Sequence, residues 1–185
     1  MCEKIEKLYE TSLKNYGLLL KGGYHPELDK SDLLVGDEIS WYQMLVRSAN
    51  WTVTLGRFDV HYATSILGRY NFAPQEGHLK TMLRVFRYLK HHMKQQILCD
   101  IEEPDFSDVK VVEQNWLELY PDAREELPSD MPVPKGREVK ISTYFDANHA
   151  HNLETRRSVT GVVLFINKTL IQWYSKCQAT VESST

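Results

Sequence analysis

Apolar positions between residues 38 and 96 recur at intervals of three and four. Ile39, Tyr42, Val46, Ala49 and Val53 make one stripe, the period of an amphipathic helix. Ser40 or Asp37 is the expected cap, because a side-chain oxygen there accepts otherwise unpaired N–H groups. Gly56 marks a break. A second helix carries Val60, Ala63, Ile66, Leu67 and Tyr70 on one side. Asp59 lies in its first turn, where the helix dipole favours a carboxylate. Asn71-Phe72-Ala73-Pro74 ends it. The third helix has the cleanest period, in Leu79, Met82, Leu83, Phe86, Leu89 and Met93. Upstream, Ile5, Leu8, Ser12 and Leu13 give only a weak helical face. Gly22-Gly23-Tyr24-His25-Pro26 then breaks the pattern, and an acidic loop runs to Gly36.

The period changes after residue 138. Val139, Ile141, Thr143 and Phe145 alternate with Lys140, Ser142 and Tyr144, which is a strand signal. Ser158 to Ile166 reads as a second strand. Asn167-Lys168 is a tight turn into a third, Thr169 to Tyr174. Three antiparallel strands in a meander are implied. Such a sheet has one naked face, with Val163, Phe165 or their neighbours exposed unless the helical half covers it. Ser183-Ser184-Thr185 are good helix N-caps, so a further helix is expected to begin there. The fold class is α+β. Four segments follow: a helix and acidic loop (1–37), three helices (38–96), a connector (97–137) and the strands (138–185).

Charge sharpens this division. Residues 38–96 carry 8 Lys/Arg against 3 Asp/Glu, whereas residues 97–138 carry 4 against 12. The overall net charge of −3 hides that contrast, so it does not exclude nucleic acid. The acidic stretch holds Pro104, Pro121, Pro128, Pro132 and Pro134, and reads as a solvated connector with one short helix near Val111 to Tyr120. No apolar run is long enough to span a bilayer, and the charged start is not a signal peptide. Cys2, Cys99 and Cys177 fit neither a disulfide framework nor a zinc site, which favours reduced thiols and an intracellular setting, cytoplasm or nucleus.

Two features carry candidate chemistry. Lys80, Arg84, Arg87 and Lys94 fall on one side of the third helix. They suit a phosphate backbone, where neutralised phosphates release counterions, or form a solvated face. His78, His91 and His92 flank the stripe and would add charge at mildly acidic pH. The other feature is Tyr144-Phe145-Asp146-Ala147-Asn148-His149-Ala150-His151. Asp146 at a strand end suits Mg²⁺, which prefers oxygen ligands, or is a turn residue. Two-ion phosphodiester hydrolysis needs more carboxylates, and Glu154 and Glu182 are the others nearby. His149 and His151 with Asp146 form an alternative zinc set, or are exposed polar residues.

Several blocks resemble copia-type retrotransposon polyproteins. Arg156-Arg157-Ser158-Val159-Thr160-Gly161-Val162 resembles that family's Arg-Arg-Ser-Thr-Ser-Gly. Ile171-Gln172-Trp173-Tyr174-Ser175-Lys176-Cys177-Gln178 resembles Ile-Ser-Trp-Ser-Ser-Lys-Lys-Gln, and Ser183-Ser184-Thr185 matches Ser-Ser-Thr. Upstream, Tyr42 to Ser48, Gly56 to Val60 and Glu76 to Lys90 resemble the family's Tyr-Arg-Ser-Leu-Ile-Gly-Ser, Thr-Arg-Pro-Asp-Ile and His-Trp-Lys with Arg-Val-Leu-Arg-Tyr-Leu-Lys blocks. Order and spacing hold over roughly residues 24–185.

The resemblance implies the thumb and connecting part of a reverse transcriptase, then a truncated ribonuclease H (RNase H)-like meander. It implies Mg²⁺ as cofactor, RNA–DNA hybrid or primer–template as partner, and the remainder of the polyprotein beside it. Asp146 maps onto the family's first metal-binding carboxylate, and Asn148 stands where the family has a second Asp. Arg156 and Arg157 join Lys80, Arg84, Arg87 and Lys94 as candidate nucleic-acid contacts. The family's next carboxylate follows Ser-Ser-Thr, so this chain alone is expected to be catalytically incomplete. The alternative is a non-enzymatic nucleic-acid-binding or host-recruited interaction module.

Overall fold

A computed structural model of the chain describes residues 19–110, 115–122 and 128–181. The helical face at Ile5 to Leu13, the start of the helix expected near Val111, and Glu182 to Thr185 lie outside the described residues. Helix α1 spans Asp37–Thr54, α2 His61–Gly68, α3 Glu76–His91, and α4 is the single turn Trp116–Leu119. Strands β1 (Ile141–Asn148), β2 (Val159–Ile166) and β3 (Thr169–Cys177) follow. They form one antiparallel sheet in the order β1-β2-β3. The α+β reading and the meander both stand.

The helical stripes bury as their periods demand. Tyr42, Leu45, Val46, Ala49 and Val53 of α1 meet Ala63, Ile66 and Leu67 of α2, and Met82, Val85, Phe86 and Leu89 of α3. Val85 joins this core although it falls outside the stripe drawn from the sequence. Met93 leaves it, because α3 ends at His91 and Met93 is exposed in the turn beyond. The Tyr42 hydroxyl donates to the Leu67 carbonyl at 2.7 Å. That bond satisfies an acceptor in the last turn of α2, where helical partners run out.

Capping differs from expectation. Neither Ser40 nor Asp37 caps α1. Its N-cap is Gly36, held at φ 54°, and the Glu38 carboxylate reaches back to accept the Val35 N–H at 3.2 Å. A left-handed backbone suits glycine, and the turn it makes sets the entry into the helix. Asp59 sits in a short 3₁₀ turn (Phe58–Val60) before α2. It accepts two hydrogen bonds from Arg57, at 2.9 and 2.7 Å, and Arg57 also donates to the His92 carbonyl at 3.1 Å. The forked pair thus ties the start of α2 to the end of α3.

One hydrophobic cluster runs from the helices into the sheet through Val159, with Trp173 and Cys177 packed against it. Helix α2 lies on β3, and Ser65 Oγ donates to the Ser175 carbonyl at 3.1 Å. Residues directly opposite in antiparallel strands share a face. Asn148, Asp146 and Tyr144 pair with Val159, Gly161 and Val163, which pair with Cys177, Ser175 and Trp173. This is the face toward the helices. The other face carries Phe145 and Ile141, 80% and 66% exposed, with half-buried Val162 and Leu164. The naked face is therefore not the one bearing Val163 and Phe165, but that of their neighbours.

The connector does not leave the sheet entirely to solvent. Asp100 and Thr169 exchange two bonds of 2.8 Å, N–H to hydroxyl and hydroxyl to carbonyl. The buried Asn167 in the β2–β3 turn accepts the Lys140 N–H and donates to the Ile101 carbonyl, both at 2.8 Å. Lys168 and Lys140 pair with Glu102 and Glu103 at 2.8 Å.

Candidate functional site

The β1–β2 connection is a self-bonded loop. Asn148 Oδ1 accepts the Val159 N–H at 2.7 Å, closing the loop across its base. Buried Asn152 accepts from the Thr155 N–H and hydroxyl at 2.6 and 2.7 Å. Ser158 Oγ accepts the Ala150 N–H at 3.0 Å. Ala150 and Arg156 take positive φ, 48° and 56°. Arg156 and Arg157 are thereby presented at the exposed surface of this loop.

The loop is docked onto the body by aromatic and polar contacts. The His25 and His151 rings stack at 4.7 Å, and the Tyr62 hydroxyl lies 3.0 Å from His151 Nε2. Glu27 accepts the Leu153 N–H at 2.8 Å and lies 3.1 Å from His25 Nδ1. Burial works to raise the Glu27 carboxyl, but these donors and its own N–H hold it below its usual value. Burial pushes the Tyr62 hydroxyl up, against a hydrogen bond with Asn148. No local signal marks this cluster in the sequence, because its partners lie up to 126 residues apart.

Asp146 is exposed near the end of β1. Its Oδ1 accepts the Ala147 N–H at 2.8 Å, and Oδ2 has no hydrogen-bond partner among the described residues. Beside it a cleft of about 410 Å³ opens between the sheet and the 3₁₀ turn and start of α2. Phe58, Tyr62, Tyr144 and Trp173 give it aromatic walls. His61 also lines it, with a buried Nδ1 that finds no partner among the described residues. Burial pushes the His61 imidazole down, toward its neutral form.

Among the described residues a metal centre is not assembled. No group of three or more His, Cys, Asp or Glu side chains is placed to hold an ion among the described residues. His149 is exposed, and His151 is engaged by Tyr62 and His25, so the zinc set with Asp146 does not form. For Mg²⁺, Asp146 offers one carboxylate, whereas two-ion hydrolysis draws on several. Asn148 is already spent on the Val159 N–H. The described residues do not complete the site.

The cationic stripe is only partly a stripe. Lys80 is exposed and pairs with Glu76 one turn earlier at 2.7 Å. Arg84 and Arg87 are half-buried on α3 and have partners. Lys94 lies in the turn beyond the helix, so it does not share their face by helical register. Histidines 91 and 92 sit at the helix end, with rings edge-on at 4.6 Å. His78 does not flank the stripe: it is buried, bonded to the Pro26 carbonyl at 2.9 Å and to the Gln75 N–H at 3.1 Å.

Comparison of the chain with protein-family models, with curated proteins and with solved structures returns no match. Among the described residues, no helix is long and apolar enough to cross a membrane.

Proposed function

We propose that this chain is part of a copia-type retrotransposon polyprotein: a thumb-like helical segment of a reverse transcriptase followed by the first strands of an RNase H-like sheet. Its role is to hold RNA–DNA hybrid or primer–template, and it is catalytically incomplete by itself. The observation that carries the reading is the order of motifs, from Tyr42–Ser48 through Glu76–Lys90 to Arg156–Val162 and Ile171–Gln178. A helical unit joined to a three-stranded meander is consistent with that order. Asp146 is the family's first metal-binding carboxylate on this reading, and Mg²⁺ would be its ion.

Two measurements test the proposal. Hybrid affinity should fall with salt, and changing Lys80, Arg84, Arg87 and Lys94 to Ala should lower the salt slope by up to roughly 0.9 per phosphate contact removed. Equal affinity and slope in that variant would sink the binding role. The chain with Mg²⁺ should not cleave a labelled hybrid. Cleavage that disappears in Asp146→Asn would refute the incompleteness.

A further inference from the structure

The cleft beside Asp146 has a chemistry of its own. Phe58 and Tyr144 are 42% and 54% exposed on its walls, and the Phe58 and Trp173 rings meet at 6.0 Å with a 44° tilt. Rings inclined in this way form a corner, not a parallel slot for a flat base. Gly161 lies opposite Asp146 on the same face and adds no side chain to the floor. A Cβ at Gly161 would sit 3.9 Å from the Asp146 carbonyl oxygen, an ordinary contact, so this position has room. Among the described residues, no lysine or arginine lines the cleft. One carboxylate and four aromatic walls with no cation repel phosphate and attract positive charge. His61 favours its neutral form and adds no competing cation.

We propose that this cleft binds a methylated ammonium group, held against the faces of Trp173, Phe58 and Tyr144 and neutralised by Asp146. Aromatic faces attract cations through their quadrupoles, and a methylated ammonium sheds its water more readily than a primary one. The volume, about 410 Å³, falls in the range of small-molecule sites. The same chemistry is offered by a free quaternary ammonium compound and by a methylated lysine of a partner protein.

The test is an NMR titration of the folded chain in Mg²⁺-free buffer. Tetramethylammonium and choline chlorides are compared with sodium chloride at matched ionic strength, following the Trp173 indole resonance. Assignment comes from Trp173→Phe. Both ammonium ions should give a saturable shift, and the neutral tert-butyl analogue of choline should not. Affinity should weaken about fivefold or more in Asp146→Asn, which removes the charge, and in Gly161→Val, which fills the floor. Asp146 is exposed and valine favours a strand, so both variants should keep the parent thermal transition. Tighter binding of a trimethyllysine peptide than of choline assigns a methylated protein, and the reverse assigns a small molecule. Equal responses to sodium or the neutral analogue, unchanged affinity in either folded variant, or equal binding of the unmodified lysine peptide would overturn the proposal.

Discussion

His78 is the clearest place to test the physical account of the helical body. It is 1% exposed, on the first turn of α3. Gln75 N–H points at Nδ1, so Nδ1 carries the lone pair and the ring proton sits on Nε2, facing the Pro26 carbonyl. Tyr70 stacks on the ring at 4.1 Å. Replacing His78 with Leu keeps apolar bulk but takes the acceptor from the Gln75 N–H and leaves the Pro26 carbonyl with only the Asp29 N–H, at 3.2 Å. Each lost bond costs about 1 kcal/mol, and a buried unpaired partner raises that toward 1–3 kcal/mol. The Pro26 carbonyl keeps one bond and half-buried Gln75 recovers water, so the total should be about 1–3 kcal/mol. For a chain of this length that lowers Tm by roughly 2–12 °C. Urea and thermal unfolding at pH 7.5 measure it, with hydrogen exchange at residues 24–31 reporting where the contact is lost. His78→Gln, which offers both a donor and an acceptor, should recover part of the loss. A Leu variant within about 0.5 kcal/mol of the parent would refute the anchoring role.

Gly77→Ala should destabilise by about 1 kcal/mol despite the better helix propensity of Ala, because its Cβ would collide with the Asp29 carboxylate that Ser31 holds in place. Urea unfolding of Gly77→Ala with and without Asp29→Ala checks this, and the second change should relieve the collision. Burial works to raise the Asp29 carboxyl, but the Ser31 hydroxyl and N–H outweigh it and hold the group below its usual value. Its contribution is therefore present above the unfolded-state pKa, about 3.9, and is lost as pH falls through the lower folded value. Acid unfolding of Asp29→Asn should show a shallower slope there. Phe145→Glu, on the uncovered face of β1, should lower dye binding and aggregation while leaving Tm within a few degrees.

What the sequence disclosed is what local spacing determines. The stripes at Tyr42, Ala63 and Met82 and the alternation through Ile141 to Phe145 each follow from the geometry of one element. The α1 cap was missed because it depends on Gly36 at positive φ and on Glu38 reaching backwards, not on a hydroxyl at the start. The burial of His78 was missed because its acceptor is 52 residues away. Likewise, nothing near Asp100 signals that Thr169 will bind it.

The sheet shows where that limit falls for the candidate site. Alternation sorts β1 into two sets, Tyr144, Asp146 and Asn148 against Ile141, Thr143 and Phe145, without saying which set meets the helices. By hydrophobicity, Phe145 and Ile141 are the better candidates for burial, yet they lie on the face turned away from the helices, 80% and 66% exposed. Packing of α2 on β3 decides otherwise: it buries Val159 with Trp173 and Cys177, and pairing then carries Asn148 and Asp146 to the same side. Phe58 and Tyr62 arrive there from more than 80 residues earlier in the chain. Asp146 is thus legible from the sequence as a strand-end carboxylate, but its aromatic surroundings follow only from which face the helices chose.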